Sequence, residues 1–286
     1  MDNFITGRRE NVRPLLASAN FHFSRLDITS RHFLAAFLKV PLGEIYHLAC
    51  PTGVPNIARL GEEMMLASSV GTRHVLELAR MHRARFLFSS SSEVYGQAEV
   101  SPQHERYCGN VDPLGPRSPY EEGKRFAESL VALYVRTYGV DADIVRLFNA
   151  YGPGMSPEDT RVLPRFLQSI RNGRPLTVYG DGRQTRTFCY IDDFIRGLRL
   201  VMERGERGEV YNIGGSRPLA IKELARLVIR ITGYRQGISL RPHFVEDHSG
   251  RKPSLVKIRK LGWRPAVPLR EGLRRMIASW GIRAAV

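Results

Sequence analysis

The stretch RFLFSSSSEVYG at residues 85–96 decides the fold, because an apolar run there gives way to four serines and an acid. The run predicts a buried strand over 85–90. Residues 120–124 read YEEGK and open a helical pattern that continues to Tyr138, where Gly139 closes it. A second apolar run over 142–147 predicts another strand. Strand, helix and strand in this order indicate a parallel sheet covered by helices.

The same alternation extends on both sides of this segment. Residues 44–49 predict a short buried strand, and residues 64–81 have the apolar spacing of a helix that Gly71 interrupts. We therefore predict an α/β fold, a doubly wound parallel (Rossmann-like) sheet with a smaller C-terminal substrate-binding lobe.

The predicted domain boundaries follow a change in composition after residue 151. Residues 1–151, with a segment at about 185–215 that returns to the sheet, form the predicted Rossmann-like domain. Residues 152–184 and 216–286, where Gly and Pro are frequent, form the lobe. Within the lobe, 176–179 predicts a strand and 221–232 a helix.

The composition excludes several classes of protein. No run approaches the roughly 18 apolar residues of a membrane span. The start, MDNF, lacks the basic residues and apolar run of a signal peptide. The three cysteines are far apart and form no CxxC pair, so neither a disulfide framework nor a zinc site is predicted, and no metal is expected. These features favour the reducing cytoplasm.

The net charge of +15 is the most unusual bulk property, and it comes mainly from arginine. An arginine-rich surface without a specific partner is the first explanation. Attraction of an anionic substrate, such as a nucleotide diphosphate, into a basic cleft is the second. Nucleic-acid binding is a distant third, so a nucleic-acid partner is not expected.

Tyr120 and Lys124 form the first candidate catalytic pair. Residues four apart lie on one face of a helix, so the phenol and the ammonium are neighbours. A cation beside a phenol favours the phenolate and lowers a pKa that is normally about 10. The tyrosine then becomes a candidate base near neutral pH. An ordinary exposed helix pair would have the same spacing, so the motifs around it decide.

Three motifs are similar to those of the extended short-chain dehydrogenase/reductase superfamily, which includes sugar-nucleotide epimerases and dehydratases. They are YEEGK at 120–124, RLFNAYGP at 146–153 and FCYIDD at 188–193. Three finer motifs resemble the UDP-glucuronic acid decarboxylases (UDP-xylose synthases) within it. They are Ser92-Glu93 before Val-Tyr-Gly, NVDPLGPR at 110–117 and RKP at 251–253. The resemblance runs from Asp2 nearly to the C-terminus.

The resemblance implies an activity and a set of catalytic residues. The activity is NAD-dependent decarboxylation of UDP-glucuronate to UDP-xylose, through oxidation at C4, loss of CO2 and re-reduction. Tyr120 would be the base, and Lys124 would lower its pKa and hold the nicotinamide ribose. The hydroxyl of Ser91, where the family usually has threonine, would bond the reacting oxygen. The remaining catalytic residues implied are Ser92, Glu93 and Arg251.

The resemblance also implies the ligand contacts and the assembly. NAD would be held by Asp2, Asn3, Arg8, Asp27, Leu48, Tyr120 and Lys124. The UDP-sugar would be held by Asn149, Arg161, Val162, Thr177, Tyr179, Arg186 and Arg251. An arginine suits a diphosphate, since its planar fork donates two parallel hydrogen bonds. A homodimer through helices that include 120–138 is expected.

The sequence departs from the family pattern at the phosphate loop. No G-x-G-x-x-G closes a first strand. Instead DNFITGR at 2–8 resembles the end of the second strand, with Asp2 as the carboxylate for the adenosine ribose. We therefore expect one strand–helix unit, on the order of 30 residues, upstream of this chain. A late start or a fragment is the favoured explanation, and a degenerate paralogue that no longer holds NAD tightly is the other.

Smaller departures bear on the substrate. Ser68 stands where the family has asparagine, the loop CPTGVP at 50–55 differs from the family's Ser-Pro-Ala-Ser, and Ser254 replaces an aspartate. Two alternative functions stay open. One is a 4-epimerase or 4,6-dehydratase acting on another nucleotide sugar. The other is a truncated, catalytically inactive relative that binds a sugar nucleotide, a partner chain or RNA.

Overall fold

The structure, a computed structural model, describes residues 1–242 and 250–284. Its α-helices, numbered in chain order, are α1 (Arg9–Val12), α2 (Phe33–Phe37), α3 (Val54–Arg59), α4 (Gly61–Leu66), α5 (Thr72–His82), α6 (Ser118–Tyr138), α7 (Val162–Arg171), α8 (Ile191–Arg204), α9 (Ile221–Thr232), α10 (Val256–Lys260) and α11 (Leu269–Ser279). Its strands are β1 (Glu44–His47), β2 (Arg85–Ser91), β3 (Ala142–Leu147), β4 (Ala150–Tyr151), β5 (Leu176–Tyr179), β6 (Thr185–Thr187), β7 (Cys189–Tyr190), β8 (Val210–Ile213), β9 (Pro218–Ala220) and β10 (Ile238–Arg241). Short 3-10 turns cover Arg13–Leu15 and Ser92–Tyr95, and a π turn covers Ala67–Gly71.

The chain divides into two compact units. Unit 1 comprises residues 1–94, 111–145 and 202–210, and unit 2 comprises residues 95–110, 146–201 and 211–286. This division differs from the predicted boundaries. Residues 95–110 belong to unit 2 because Gln103 within them is hydrogen-bonded to the segment around Lys252. Of the predicted returning segment at about 185–215, only residues 202–210 fall in unit 1.

The main sheet confirms the predicted α/β class. Its order is β1-β2-β3-β8, and β1 runs parallel to β2 with Glu44 opposite Arg85. Strands β3 and β8 begin in unit 1 and end in unit 2. β1 was predicted as a buried strand, but it lies at the edge of the sheet, and Tyr46 is 38% exposed. Asp2 forms a separate parallel bridge with Arg25.

The predicted helix over 64–81 is present but divided. α4, the π turn and α5 follow one another, so the interruption predicted at Gly71 is confirmed. A Cβ on Gly71 would lie 2.4 Å from Cδ1 of Ile28, so only glycine fits this close approach. Gly123 of α6 also faces the π turn, and a Cβ there would lie 3.1 Å from Oγ of Ser68. α4 and α6 therefore pack closely together.

Each unit has its own apolar core. In unit 1 the core lies between the sheet and helices α2, α5 and α6. Its fully buried members include Leu76, Phe86, Phe88, Ala127 and Ala142. The helix α6 ends at Gly139, whose φ of 69° is in the left-handed region that glycine adopts without strain.

The core of unit 2 lies between helices and short strand pairs. Its fully buried members include Phe166, Leu176, Val178, Leu224 and Val228. β5 pairs parallel with β10, β4 parallel with β7, and β6 antiparallel with β9. β5 and α9 have the bounds that the sequence predicted.

Gly215 offers a test of packing in unit 2. An added Cβ would lie 2.3 Å from the carbonyl oxygen of Phe188, which is backbone and cannot turn aside. We expect Gly215→Ala to lower the free energy of unfolding by about 1 to 3 kcal/mol, measured from the denaturation midpoint. Gly43→Ala is the matched control, because nothing lies within 4 Å of a Cβ there. Equal effects of the two substitutions would contradict this packing.

Candidate functional site

Lys124 is firmly anchored on β2 in unit 1. Its side chain is buried, and Nζ donates a hydrogen bond of 2.8 Å to the carbonyl oxygen of Ser89. Nζ also lies 4.7 Å from the centroid of the Phe88 ring. Tyr120 lies one helical turn earlier on α6 and is half-buried. The helix that carries both predicted residues is therefore bonded to β2 at Ser89.

Burial controls the charges around this pair. Burial lowers the pKa of Lys124, and the nearby Cys50 and Glu128 partly offset that effect. Burial, followed by the positive charge of Lys124, lowers the pKa of His47 to about 3. His47 is therefore neutral near pH 7, and its Nε2 lies 3.0 Å from Oγ1 of Thr72. His47 therefore does not place a second positive charge beside Lys124 near pH 7.

The serines at the end of β2 have separate partners. Oγ of Ser89 donates to the carbonyl oxygen of His47 at 3.1 Å, and Oγ of Ser90 donates to Oε1 of Glu128 at 2.5 Å. Oγ of Ser91 accepts the backbone N–H of Glu93 at 3.2 Å and stays half-buried, while Ser92 is buried. The hydroxyl of Ser91, at the end of β2, is therefore bonded to Glu93 in the turn that follows.

Glu93 is held by a residue that the sequence analysis did not select. The guanidinium of Arg117 pairs with the Glu93 carboxylate, and its Nε donates to Oε1 of Glu121 at 3.0 Å. The sequence signal was present, since Arg117 lies in the NVDPLGPR segment and four residues before Glu121.

Four of the predicted cofactor residues line one cavity in unit 1. Asp2, Asn3, Asp27 and Leu48 border a cavity of about 180 Å³. Arg8 is not among the lining residues, and its Nε lies 3.5 Å from Oε2 of Glu10. Cys50, which the sequence analysis noted only as a departure from the family loop, also lines it. In residues 1–242 and 250–284, no group of His, Cys, Asp and Glu is arranged to hold a metal ion.

The carboxylates at this cavity are fixed by short hydrogen bonds. Burial alone would raise the pKa of Asp27, but the hydroxyl and N–H of Thr29 and the amide of Asn3 outweigh it and lower that pKa. The Asn3 amide donates to Oδ2 of Asp27 at 2.6 Å. Oδ1 of Asp2 accepts the N–H of Phe4 at 2.6 Å. Both carboxylates are thus oriented and suited to accept hydroxyl hydrogens.

In unit 2, the backbones of the predicted substrate residues Arg186 and Arg251 lie side by side. They form a parallel bridge, and Oγ1 of Thr187 donates to the carbonyl oxygen of Arg251 at 3.4 Å. Arg251 is only 4% exposed. The backbone bridge brings two arginine positions together, and guanidinium groups are suited to binding an anion.

Asn149 is the most unusual of the predicted substrate residues in unit 2. Its φ is 35°, in the left-handed region that asparagine tolerates better than most residues. Its Nδ2 is buried and has no hydrogen-bond partner among residues 1–242 and 250–284, and a buried donor left in this state costs free energy. Such an atom is a candidate contact for a ligand oxygen.

The remaining predicted substrate residues lie on β5 and at the start of α7. Thr177 and Tyr179 lie on the half-buried face of β5, and the guanidinium carbon of Arg165 is 4.4 Å from the Tyr179 ring centroid. Val162 is the first residue of α7. Arg161 precedes it and is exposed, and its Nε donates to Oδ2 of Asp159 at 2.9 Å.

Gln103 is hydrogen-bonded to the backbone directly after Arg251, and the sequence analysis did not select it. It is fully buried, and its N–H donates to the carbonyl oxygen of Lys252 at 2.8 Å. Its Oε1 accepts the N–H of Lys252 at 2.8 Å, and its carbonyl oxygen accepts the N–H of Ser254 at 2.7 Å. Its Nε2 donates to the carbonyl oxygen of Val100 at 2.7 Å. No local pattern indicates this role, because the partner segment is distant in sequence.

Gln103→Leu tests this support. We expect a loss of about 1 to 3 kcal/mol in stability, because the N–H of Lys252 and the carbonyl of Val100 lose their partner in a buried place. Amide hydrogen exchange at residues 250–254 should accelerate selectively. Gln168→Leu, on the half-buried face of α7, is the control and should leave that exchange unchanged. Unchanged exchange in Gln103→Leu would show that the segment is held by other contacts.

The sheet, the Tyr120–Lys124 pair and the cavity define a class of protein. Residues 2–214 match the model of the NAD dependent epimerase/dehydratase family, and the chain belongs to that family.

Within the family, the chain is similar to UDP-glucuronic acid decarboxylases. It is 40% identical over 281 residues to UDP-glucuronic acid decarboxylase 1 of Arabidopsis thaliana, a match that covers 98% of this chain and 63% of that protein. The chain spans less than two thirds of the length of this and similar plant and frog decarboxylases.

Solved structures of the family have the same fold. The UDP-glucose 4-epimerase of Thermotoga maritima, solved with UDP-glucose, superposes with a TM-score of 0.89 at 27% identity, covering 98% of this chain and 89% of that one. The UDP-glucuronic acid 4-epimerase of Bacillus cereus, solved with UDP-glucuronic acid and NAD, gives a TM-score of 0.85 at 26% identity, covering 95% and 85%.

Proposed function

We propose that this chain provides the catalytic and binding residues of an NAD-dependent UDP-glucuronate decarboxylase, which forms UDP-xylose. The observation that carries the proposal is the buried Lys124, which is bonded to Ser89 of β2 and lies one helical turn after Tyr120. Ser91 ends the same strand, and the Arg117-bound Glu93 follows it in the next turn. The similarity to the plant decarboxylases supports the substrate. The bound UDP-glucuronic acid and NAD of the Bacillus cereus epimerase support the ligands.

The residues around the unit 1 cavity fit the adenosine end of NAD. The oriented carboxylate of Asp2 would accept the ribose hydroxyls, and Asn3, Asp27 and Leu48 would line the base. Arg8 is proposed as a further cofactor contact. Tyr120 and Lys124 would meet the nicotinamide ribose. We therefore assign cofactor binding to unit 1, and NAD, when bound, supplies hydride acceptance from C4 and its return.

The chain's own residues manage protons at the sugar. Tyr120 would remove the proton of the 4-hydroxyl, the ammonium of Lys124 would favour its phenolate, and Ser91 would bond the same oxygen. With a ketone at C4 the substrate is a β-keto acid, so CO2 leaves and the electron pair moves into the enolate. A water molecule would then supply the proton to C5, oriented by Ser92 and by the Glu93 carboxylate, which accepts a hydrogen bond from it. Tyr120 returns its proton to the 4-oxygen when the ketone is reduced.

The unit 2 residues are proposed to hold the UDP-sugar. The neighbouring Arg186 and Arg251 would bind the diphosphate or the carboxylate, since the two arginines are fixed by their backbone bridge. The unpartnered Nδ2 of Asn149 would donate to a ligand oxygen. Further proposed contacts are Arg161, Val162, Thr177 and Tyr179.

The direct test is a turnover assay on the 286-residue chain with NAD and UDP-glucuronate. We expect release of CO2 and formation of UDP-xylose, followed by mass spectrometry, with NAD binding measured by calorimetry. In Tyr120→Phe we expect hydride transfer to be abolished, while UDP binding stays near wild type, because only the base is lost. Tyr138→Phe, at the exposed end of the same helix, is the matched control.

The outcomes separate the rival functions. An isomerised UDP-glucuronate without CO2 would identify a 4-epimerase, the activity of the Bacillus cereus relative. The same assay on a chain extended upstream in frame is the comparison, and no NAD binding and no product in either form would favour a binding protein. Wild-type turnover in Tyr120→Phe would refute the assignment of the base.

We further propose a homodimer formed through α6 and its neighbours. Phe126 and Leu133 are 55% and 44% exposed and lie seven residues apart, so they share one face of α6. Met65 and Val70, on the elements that pack against α6, are 50% and 39% exposed. An apolar face of this kind on a helix pair suits a two-fold contact with a second copy.

Phe126→Glu tests the dimer. We expect the variant to be monomeric by light scattering, because the partner's equivalent face would meet a charge, while thermal stability of the monomer stays intact. Val256→Glu on α10, where the side chain is 65% exposed, is the control and should leave the wild-type mass unchanged. A wild-type mass in Phe126→Glu would place the contact elsewhere.

The location is proposed to be the cytoplasm. The three cysteines are free, which suits a reducing compartment. Within residues 1–242 and 250–284, none of the helices has the length and apolar character needed to cross a bilayer. The charge of +15 suits an anionic nucleotide substrate better than any pattern in the chain suits nucleic acid.

A further inference from the structure

Arg117 lies between two carboxylates in unit 1. Its guanidinium pairs with Glu93 on one side and with Glu121 on the other, where Nε and Oε1 are 3.0 Å apart. The side chain of Arg117 is 14% exposed, that of Glu93 22%, and that of Glu121 3%. Ion pairs this deeply buried are poorly screened by solvent, so their geometry and charge matter more than on a surface.

The backbone of Arg117 ties this cluster to the catalytic helix. Arg117 is the residue before α6, and its carbonyl oxygen accepts the N–H groups of Tyr120 and Glu121 at 3.2 and 3.1 Å. Glu93 is in turn fixed by its own N–H to the hydroxyl of Ser91. One side chain thus connects the start of α6 to the turn after β2.

The charges of the cluster favour an ionised Glu93. Burial alone would lower the pKa of Arg117, but the charges of Glu93 and Glu121 outweigh it and raise that pKa. Arg117 therefore stays positive. Without it, two carboxylates would share a buried place, and like charges at short range force one of them to take up a proton.

We propose that Arg117 is a positioning residue for the reaction, one that clamps the Glu93 carboxylate in a single orientation and keeps it charged, with Glu121 holding the guanidinium from the other side. This inference rests on the proposed function of Glu93. It adds a specific expectation: Glu93 enters the reaction as a hydrogen-bond acceptor, and its availability depends on a residue that does not touch the sugar.

Other charged groups near Glu93 define the background of the test. On α6 these are Glu121, Lys124 and Arg125, and Nη1 of Arg125 donates to the carbonyl oxygen of Val94 at 3.2 Å. Lys124 and Arg125 are present in the wild type and in every Arg117 variant. A change in the titration of Glu93 on removal of Arg117 is then assigned to the clamp.

The test compares Arg117→Met with Arg117→Lys. Methionine keeps the length and removes the charge, whereas lysine keeps the charge and loses the fork. In Arg117→Met we expect the pKa of Glu93 to rise by about 1 to 3 units, so the acid limb of kcat/KM moves upward by the same amount. We also expect kcat near neutral pH to fall about 100-fold, with the KM for UDP-glucuronate little changed. Arg117→Lys should restore most of the pH profile but less of kcat.

A second measurement does not depend on turnover. The infrared band of a protonated carboxyl, taken as a difference from Glu93→Gln in the same background, reports the ionisation of Glu93 directly. We expect this band to appear at higher pH in Arg117→Met than in wild type. Arg136→Met, exposed on the same helix, is the control and should change neither the infrared titration nor the profile.

The results distinguish failure of the inference from failure of the function. An unchanged infrared titration of Glu93 in Arg117→Met overturns the clamp. If Arg117→Met does not fold, Arg117→Lys decides, and a kcat equal to that of the wild type in this variant overturns the clamp. If wild type releases no CO2, the proposed function fails, and the infrared titration still decides the role of Arg117. An acid limb that stays in place in an active Arg117→Met variant also overturns the inference.

Discussion

The hydrogen bond from Lys124 to the carbonyl of Ser89 is the constraint on which the rest of unit 1 depends. A buried ammonium is tolerated only where it is paired or hydrogen-bonded, so α6 must lie against the end of β2 at this height. That placement sets Tyr120 one turn away. Burial keeps His47 neutral, and the charge of Lys124 adds to that effect. The placement of α6 also brings Glu128 of the same helix to the hydroxyl of Ser90.

Both units use a buried polar group to place a charged side chain that has a proposed role. In unit 2, the side-chain amide of Gln103 is hydrogen-bonded to Lys252 and to Val100. In unit 1, the guanidinium of Arg117 is bonded to Glu93 and to Glu121. Neither residue is proposed to react. A fully satisfied buried group is rigid, and rigidity is what a proton-transfer or anion-binding side chain needs from its support.

The sequence predicted the elements whose signals are local. β3, β5 and α9 have the predicted bounds, and β2 and α6 differ from theirs by no more than two residues at one end. The apolar periodicity lies within each element, and Gly139 directly follows α6. The interruption at Gly71 was predicted for the same reason. The π turn itself was not, since its hydrogen-bond pattern leaves no mark in the apolar spacing.

What the sequence could not predict depends on distant partners. β1 was expected to be buried, but the burial of a strand depends on which strands flank it, and β1 has only β2 beside it in the sheet. Gln103 and Lys252 are 149 residues apart, and Arg117 and Glu93 are 24 apart. The assignment of residues 95–110 to unit 2 follows from the first of these contacts. The Tyr120–Lys124 pair was found because both residues share one helix.

Gly123, between Tyr120 and Lys124, has a packing role that follows from its lack of a side chain. A glycine in the middle of a helix costs about 1 kcal/mol relative to alanine. At position 123, however, an added Cβ would lie only 3.1 Å from Oγ of Ser68, so the absence of a side chain leaves room for that serine. The residue therefore acts as a spacer. The side chains at positions 123 and 68 occupy the same small volume, so the size of the residue at one position limits the size that fits at the other. Ser68 and Gly123 are the two sides of one contact, and this contact sets the distance between α6 and the π turn over Ala67–Gly71.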